Sequence, residues 1–427
     1  MMPVVLHVGA SQTIDSVVLH QLCGLRDAGW DVVVSCPDDH WAARIHRSCF
    51  HLEAVRMGRR PSRDAFARGA WDVFHVIRRI RPDLIHTHNA HHGLVGRLVA
   101  AASGIPAVHT WRYNPLDASD RLAVRTAFAA AEALASRLGD AVLFQNGDDL
   151  CEATRTRLVP AGRAILVRNG IRTELYRTPP TDPALTRREL GLEDEARVVC
   201  CIARLEERKR QSDVIDAFAV ARRSIENLQL LVVGTGPDEP ALRLRAERAG
   251  VASTVRFLGN RDDVPSLLHA SDALVLASRR EGVPRSVMEA MAARVPVVAT
   301  NVVGTREVAR DGETALLVPL GAVDSLAAAL VRVLEDRALA ERLTDAGSRL
   351  IESEWREDQV VARVDAAYRR VLAERSTAPA RVSTAAVRSA VRTRSKRSSA
   401  SRRAWPPSRS RSVRSVATAI RRSAKDA

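Results

Sequence analysis

The chain has 427 residues, 46% hydrophobic, 27% charged and 4% aromatic; this excludes a wholly disordered or fibrous protein, weighs against a β-sandwich and, at about 100 to 200 residues per domain, predicts two or three domains. The net charge of +15 is unevenly placed: Ser376 to Ala427 holds 14 Lys or Arg against one acid, Asp426, so that stretch carries +13 and the other 375 residues +2. A basic domain face of the kind that binds nucleic acid is therefore not expected.

Met1 to Gly9 lacks a cationic n-region and runs straight into a strand-like segment, which predicts no signal peptide. No apolar run approaches the 18 or so residues of a spanning helix. Cys23, Cys36, Cys49, Cys151, Cys200 and Cys201 form no CxxC pair and read as reduced thiols of a cytoplasmic protein. Short apolar runs then alternate with amphipathic ones, the pattern of β-α-β units around a parallel sheet. Strands are predicted at Val4–Val8, Asp31–Ser35, Leu84–His86, Ala107–Thr110, Ala141–Phe144 and Ala164–Val167. Helices are predicted at Ser16–Ala28, Phe66–Arg81, Leu94–Ala102 and Ala123–Arg137. Three prolines in Thr178 to Pro183 end this first doubly wound domain, taken as 1–178.

The alternation restarts with strands at Val198–Ala203, Gln229–Val233, Thr254–Phe257, Ala273–Leu276, Pro296–Ala299 and Ala315–Val318, giving a second Rossmann-like domain over 186–357. Two such α/β domains facing a cleft place ligands beyond the carboxyl ends of the strands. The segment from Asp358 to Ala373 is the last amphipathic one, and a helix is expected over 358–375. Beyond it, 376–427 is rich in Ser, Arg, Ala and Thr and is expected to be disordered, since it cannot bury enough apolar surface to offset ordering entropy.

The strongest motif runs from Ser278 to Ala292, SRREGVPRSVMEAMA. It follows the strand Ala273–Leu276, and Pro284 suits the first turn of a helix, so free amides of Gly282, Val283, Arg285 and Ser286 would form an anion site. Glu289 lies in an apolar run, where a buried carboxylate needs polar partners such as sugar hydroxyls; the competing reading turns it to solvent on an ordinary helix. Arg204 and Lys209 follow the strand Val198–Ala203, a fork and a point charge suited to a diphosphate. Lys209 is the sole lysine outside the tail, although a solvated charged turn would look similar. Gly234-Thr235-Gly236-Pro237 lacks the third glycine of a dinucleotide fingerprint. His86, His88, His91 and His92 have no carboxylate or cysteine nearby in sequence, so zinc is not expected; His88 reads either as a ligand contact or as a core histidine. No strand-flanked Asp-x-Asp is present.

At these residues the chain resembles the retaining glycosyltransferases of the GT-B fold, family four, over roughly residues 3 to 373. Glu281 and Glu289 match the family's paired glutamates, and Arg204 and Lys209 its diphosphate-binding pair. Supporting segments include Asp83 to His88, Asn169-Gly170-Ile171, Phe257-Leu258-Gly259 and Pro296 to Thr300. The resemblance implies that Arg204, Lys209 and Glu281 are catalytic. It further implies donor binding by Gly236, Asn260, Arg261, Gly282, Val283, Pro284, Arg285, Ser286 and Glu289, and an acceptor side formed by Gly9, Ser11 and His88. It implies a hexosyltransferase-type enzyme of cell-surface polysaccharide biosynthesis that moves a sugar from a nucleotide-sugar donor, with UDP preferred, to a lipid-linked or glycan acceptor. No cofactor or metal is implied. The final helix would return to the first domain and leave the tail outside the fold, available to an anionic membrane at the cytoplasmic face. Departures from the family pattern are Ala203, Arg210 and the short first loop Gly9 to Thr13. Two rival readings are a nucleotide-sugar 2-epimerase on the same fold and a scaffold working through the basic tail on membrane or nucleic acid. The tail lacks the aromatic interleaving of single-strand binders.

Overall fold

Two all-parallel sheets carry the fold of the computed structural model, which describes residues 2–57, 63–112, 114, 121–193 and 195–377. The first sheet comprises β1 (Val4–Val8), β2 (Asp31–Cys36), β3 (His51–Ala54), β4 (Leu84–His88), β5 (Ala107–Trp111), β6 (Ala141–Phe144) and β7 (Ala164–Leu166), in spatial order β3-β2-β1-β4-β5-β6-β7. The second comprises β8 (Arg197–Ile202), β9 (Leu228–Val233), β10 (Val255–Gly259), β11 (Ala273–Leu276), β12 (Val297–Thr300) and β13 (Leu316–Val318), in order β10-β9-β8-β11-β12-β13. Each order reverses beside the domain's first strand, opening a crevice at the carboxyl ends of β1/β4 and of β8/β11.

The expected α/β architecture of two Rossmann-like halves is therefore the observed one. Strands such as VVLHV and DVVVSC are buried on both faces, as helices on either side of a parallel sheet require. The one strand absent from the prediction is β3, HLEA, with His51 and Ala54 exposed. It pairs only with β2 at the sheet edge, where no continuous apolar run is needed. The helix expected from Ser16 instead begins at Ser11 and passes through a π-helical turn, Ile14–Val18, before Leu19–Asp27. Insertion of that turn breaks the 3.6-residue period on which a helix start is recognised.

The helix Glu357–Thr377 crosses back to the first sheet, its Val360, Val364, Tyr368 and Val371 packing with Val5, Leu22 and Trp30. Trp30 Nε1 donates to Asp365 at 2.7 Å, and Arg375 pairs with Asp140 at 2.8 Å. The tail expected to be disordered lies, from residue 378 on, outside the described residues. No helix of the described residues is long and apolar enough to cross a membrane.

At the crossing, Glu357 lines a pocket of about 620 Å³ with His20, Arg172, Glu174 and Arg356. Burial pushes its carboxyl up to about 7, Glu174 adding to the rise and Arg285 and Arg172 opposing it. The folded chain then holds a proton that the unfolded chain releases above its ordinary carboxyl value, so this group lowers stability as pH rises towards and through 7. Glu357→Gln is expected to raise the melting temperature more at pH 8 than at pH 5; equal shifts at both would contradict the account.

Candidate active site

The loops at the carboxyl ends of β8 and β9 meet because two glycines let their backbones touch. A Cβ on Gly234 would lie 2.1 Å from the Ala203 carbonyl oxygen, and one on Gly236 would lie 2.0 Å from that of Leu205. Real Cβ atoms do not approach so closely, so the Gly234–Gly236 turn sets the path of the Ala203–Leu205 loop rather than only marking a turn. Gln211 Nε2 holds that loop by donating to the Arg204 carbonyl at 2.7 Å. Arg204 itself stays 56% exposed and makes a loose 3.6 Å contact with Glu206. Lys209 turns inward, and its Nζ meets Glu281 Oε1 at 2.5 Å with both side chains largely buried.

Glu281 is presented by a braced loop. Its amide donates to the Val303 carbonyl at 3.0 Å, and Thr300 Oγ1 donates to the Ser278 carbonyl at 2.7 Å. Gly304 lies beneath, at φ +82°, where a Cβ would stand 2.3 Å from the Glu281 carbonyl oxygen and 2.7 Å from that of Gly282. Gly304→Ala combines left-handed strain with a backbone clash. It is expected to lower stability by about 1–3 kcal/mol, read by chemical denaturation.

The helix Arg285–Ala292 starts directly after Pro284. The amides of Gly282, Val283, Arg285 and Ser286 make no backbone hydrogen bond among the described residues, which leaves them as donors at the positive end of the helix dipole. Glu289 is 9% exposed, which rules out the solvent-facing reading. Its carboxylate lies 3.5 Å from Arg285 and neighbours Tyr176, whose phenol is pushed up by burial and then by the Glu289 charge. Asn260 and Arg261 follow β10 on the exposed rim; Asn260 Oδ1 accepts from Thr235 at 3.2 Å, and Arg261 pairs with Asp263 at 2.6 Å.

Across the cleft, the first domain touches this loop through the helix Gly147–Arg155. Asn146 caps that helix by accepting from Asp149 N at 2.7 Å and donates to the Gly282 carbonyl at 2.8 Å. Gly147 N donates to Glu307 at 3.1 Å, while Arg280 meets Asp149 at 2.5 Å and Arg306 meets Asp148 at 3.1 Å. Sequence reasoning missed this set entirely. Asn146-Gly147-Asp148-Asp149 carries a capping signature that could have located the helix start, but not its partner.

The acceptor-side candidates sit at the ends of β1 and β4. Gly9 N donates to the Ser35 carbonyl at 3.1 Å, and a Cβ there would crowd Ile14 and His88 at 3.1 and 3.2 Å. The Ser11 hydroxyl is spent on Asp39 at 2.6 Å, and His88 is fully buried. His88 lies with His7 and His86 in the one group of metal-capable side chains found among the described residues, with ligand atoms within 4.8 Å of one another. His7 was invisible to a reading of local spacing, being 79 residues from His86 and on another strand.

Residues 184–350 match the family model of glycosyl transferases group 1, and residues 13–170 match that of the glycosyl transferase 4-like domain. A D-inositol 3-phosphate glycosyltransferase of Corynebacterium glutamicum is 30% identical over 299 residues, 65% of this chain and 69% of that protein. A galactosyltransferase of Escherichia coli, named for UDP-Gal and α-D-GlcNAc-diphosphoundecaprenol, is 25% identical over 271 residues, 62% of this chain and 70% of its own length. Among solved structures, Anabaena HepE in complex with UDP and glucose superposes with a TM-score of 0.75 at 19% identity, covering 87% of this chain and all of that one.

Proposed function

The chain belongs to the family 4 glycosyltransferases of the GT-B fold, and from that membership we propose that it is a retaining enzyme which transfers a sugar from a UDP-linked donor to a lipid-linked or glycan acceptor. The observation that carries the reading is the Lys209–Glu281 pair, held at 2.5 Å at the start of the Arg285–Ala292 helix. Lys209 and Arg204 bind the donor diphosphate and stabilise the charge that develops as the sugar–phosphate bond breaks. Glu281, oriented by Lys209, accepts hydrogen bonds from the sugar hydroxyls. The amides from Gly282 to Ser286 bind sugar and phosphate oxygens. Glu289, Asn260 and Arg261 hold the nucleoside, while Gly9, Ser11 and His88 form the opposite wall. With two cations at the diphosphate, the chemistry needs no metal.

Support for the UDP and lipid-diphosphate assignments comes from the donor and acceptor named for the Escherichia coli relative. Peripheral attachment to the inner face of the cell membrane is supported by Leu122, Phe128 and Leu134, exposed on the arginine-bearing helix Leu122–Leu138, and by the basic tail. Liposome flotation should weaken in Leu122→Ser/Leu134→Ser and on removal of 376–427; unchanged flotation in both would end the membrane reading. For the enzyme itself, a thermal-shift screen of nucleotide diphosphates and sugars should show stabilisation by UDP compounds that Lys209→Ala loses. NMR of the product should show the donor's anomeric configuration. Stabilisation by GDP compounds alone, or an inverted product, would overturn the corresponding part.

A further inference from the structure

From His88 at the first-domain wall of the cleft back into the core, five side chains form one continuous hydrogen-bonded chain. Thr110 Oγ1 lies 2.7 Å from His86 Nε2, and His86 Nδ1 lies 2.5 Å from the Tyr368 hydroxyl. That hydroxyl lies 3.4 Å from His7 Nε2, and His7 Nδ1 lies 3.0 Å from His88 Nε2. All three rings and the phenol are fully buried. The chain ends at His88 Nδ1, which is buried and has no hydrogen-bond partner among the described residues.

A metal ion is a poor occupant of this cluster. Both His86 nitrogens are already engaged. The charges acting on the rings are repulsive: Arg112, with neighbouring imidazoles including His109, opposes protonation of His86 and His88, and among the described residues no carboxylate is found to act on either ring. Burial, followed by Arg112, lowers His7 to about 3, and burial likewise drives His86 and His88 well down. The three imidazoles are therefore neutral, each with one N–H and one bare nitrogen.

Neutral rings joined in this way, with the buried Tyr368 O–H also required to find an acceptor, have only two consistent proton arrangements, one the reverse of the other. The 2.5 Å contact suits O–H donation from Tyr368 to His86 Nδ1, and the 3.4 Å contact suits a weak N–H donation from His7 Nε2 to the phenol oxygen. With that sense, His86 Nε2–H donates to Thr110, His88 Nε2–H donates to His7 Nδ1, and His88 Nδ1 keeps a bare lone pair. Arg112 favours the same sense, because a lone pair is stabilised and an N–H destabilised beside a guanidinium. An unpaired buried donor is also rarer in proteins than an under-satisfied acceptor.

We propose that Tyr368, on the helix returning from the second domain, is a positioning residue: through His7 it fixes His88 in the Nε2–H tautomer and so presents Nδ1 as an acceptor for a hydroxyl of the bound sugar or acceptor. The tautomer assignment stands on the side-chain geometry together with the neutrality of the buried rings and the charge of Arg112. Its kinetic consequence rests on the placement of His88 at the cleft.

Selective ¹⁵N-histidine labelling and long-range ¹H–¹⁵N spectra of the full chain, with His88→Gln to assign the signal, read the tautomer without any substrate. Wild type should show a pyridine-type Nδ1 at His88. Thr110→Val removes the acceptor for His86 Nε2–H, so the chain should reverse and place a proton on His88 Nδ1, four hydrogen bonds away. The double variant Thr110→Val/Tyr368→Phe should lose that long-range effect. A proton on Nδ1 in wild type, or a His88 signal indifferent to Thr110→Val, overturns the proposal; the wild-type spectrum decides even if a variant fails to fold. Tyr368→Phe should lower kcat by about tenfold, the worth of one hydrogen bond, with KM for the nucleotide sugar unchanged. A reversed tautomer with kcat untouched supports the relay and overturns the placement of His88 in the reaction.

Discussion

Replacing Lys209 with alanine is expected to lower kcat by about 10²- to 10³-fold, the cost of deleting one preorganised charge at a developing oxyanion, with a smaller loss of stability. The reason lies in what Lys209 touches. Its side chain is 13% exposed, and its ammonium meets Glu281, whose side chain is 7% exposed, at 2.5 Å. Truncation removes a cation from the proposed diphosphate site and leaves a carboxylate unpaired beside a helix start. The carboxylate would then repel the phosphates of the proposed donor. Arg204, more than half exposed and only loosely held by Glu206, cannot take over both tasks. Adding Glu281→Gln to Lys209→Ala should restore much of the lost melting temperature, since a neutral amide does not need the ammonium, while leaving activity low. Steady-state kinetics with the proposed UDP-sugar donor and differential scanning fluorimetry of the two single variants and the double separate the charge at the proposed donor site from the pairing within the fold. Wild-type turnover in Lys209→Ala would refute the proposed donor site.

The largest effect on stability is expected far from the cleft, at Arg97 and Glu132. Arg97 is wholly buried on the helix Ala90–Ser103, and its guanidinium meets both oxygens of Glu132 at 2.7 and 2.8 Å. Its Nε donates to the Gly93 carbonyl at 2.9 Å, and Ser136 donates to Glu132 at 2.9 Å. Burial raises the Glu132 carboxyl, but Arg97 and Ser136 more than offset it and hold the group below its ordinary value. Glu132→Ala strands a buried guanidinium and is expected to cost about 3–5 kcal/mol. Arg97→Leu/Glu132→Leu, which removes both charges, should recover a substantial part of that loss, because the pair repays little more than its own desolvation. The lowered carboxyl also sets a sign. Its contribution to stability is present above the unfolded carboxyl value and is lost as pH falls through the folded one, so Glu132→Gln should cost less near pH 3 than at pH 7. Chemical denaturation at the two pH values checks this, and an equal cost at both would contradict it.

The proposed donor half of the site could be marked out from the sequence because its signals are local. The run from Glu281 to Glu289 places two carboxylates, a helix-starting proline and free amides within nine residues. Lys209 stands out because the folded part of the chain otherwise uses arginine, and its position follows from the end of β8. The alternation of apolar runs likewise specifies parallel sheets, since a strand covered on both faces must be apolar throughout.

What escaped local reading was set by pairings between distant segments. Gly304 matters because its missing side chain admits the Glu281 carbonyl, and no spacing within either segment records that approach. Asn146 reads as a helix cap, yet its second bond, to the Gly282 carbonyl, spans 136 residues. Arg97 and Glu132 each look like a charge on an ordinary helix until the two helices pack. The short strand β3 needed only a neighbour's hydrogen bonds, not a pattern of its own. Taken alone, the sequence determined the two-sheet architecture, the position of the proposed donor motif and its cationic pair, all of which depend on periodicity and on residues close in the chain. The tertiary structure decided which of those groups are buried, that Glu289 points inward, that Ser11 is occupied by Asp39, and that His7, His86, His88 and Tyr368 form one chain. These properties depend on desolvation and on hydrogen-bond direction, which arise only when segments far apart in sequence close on one another.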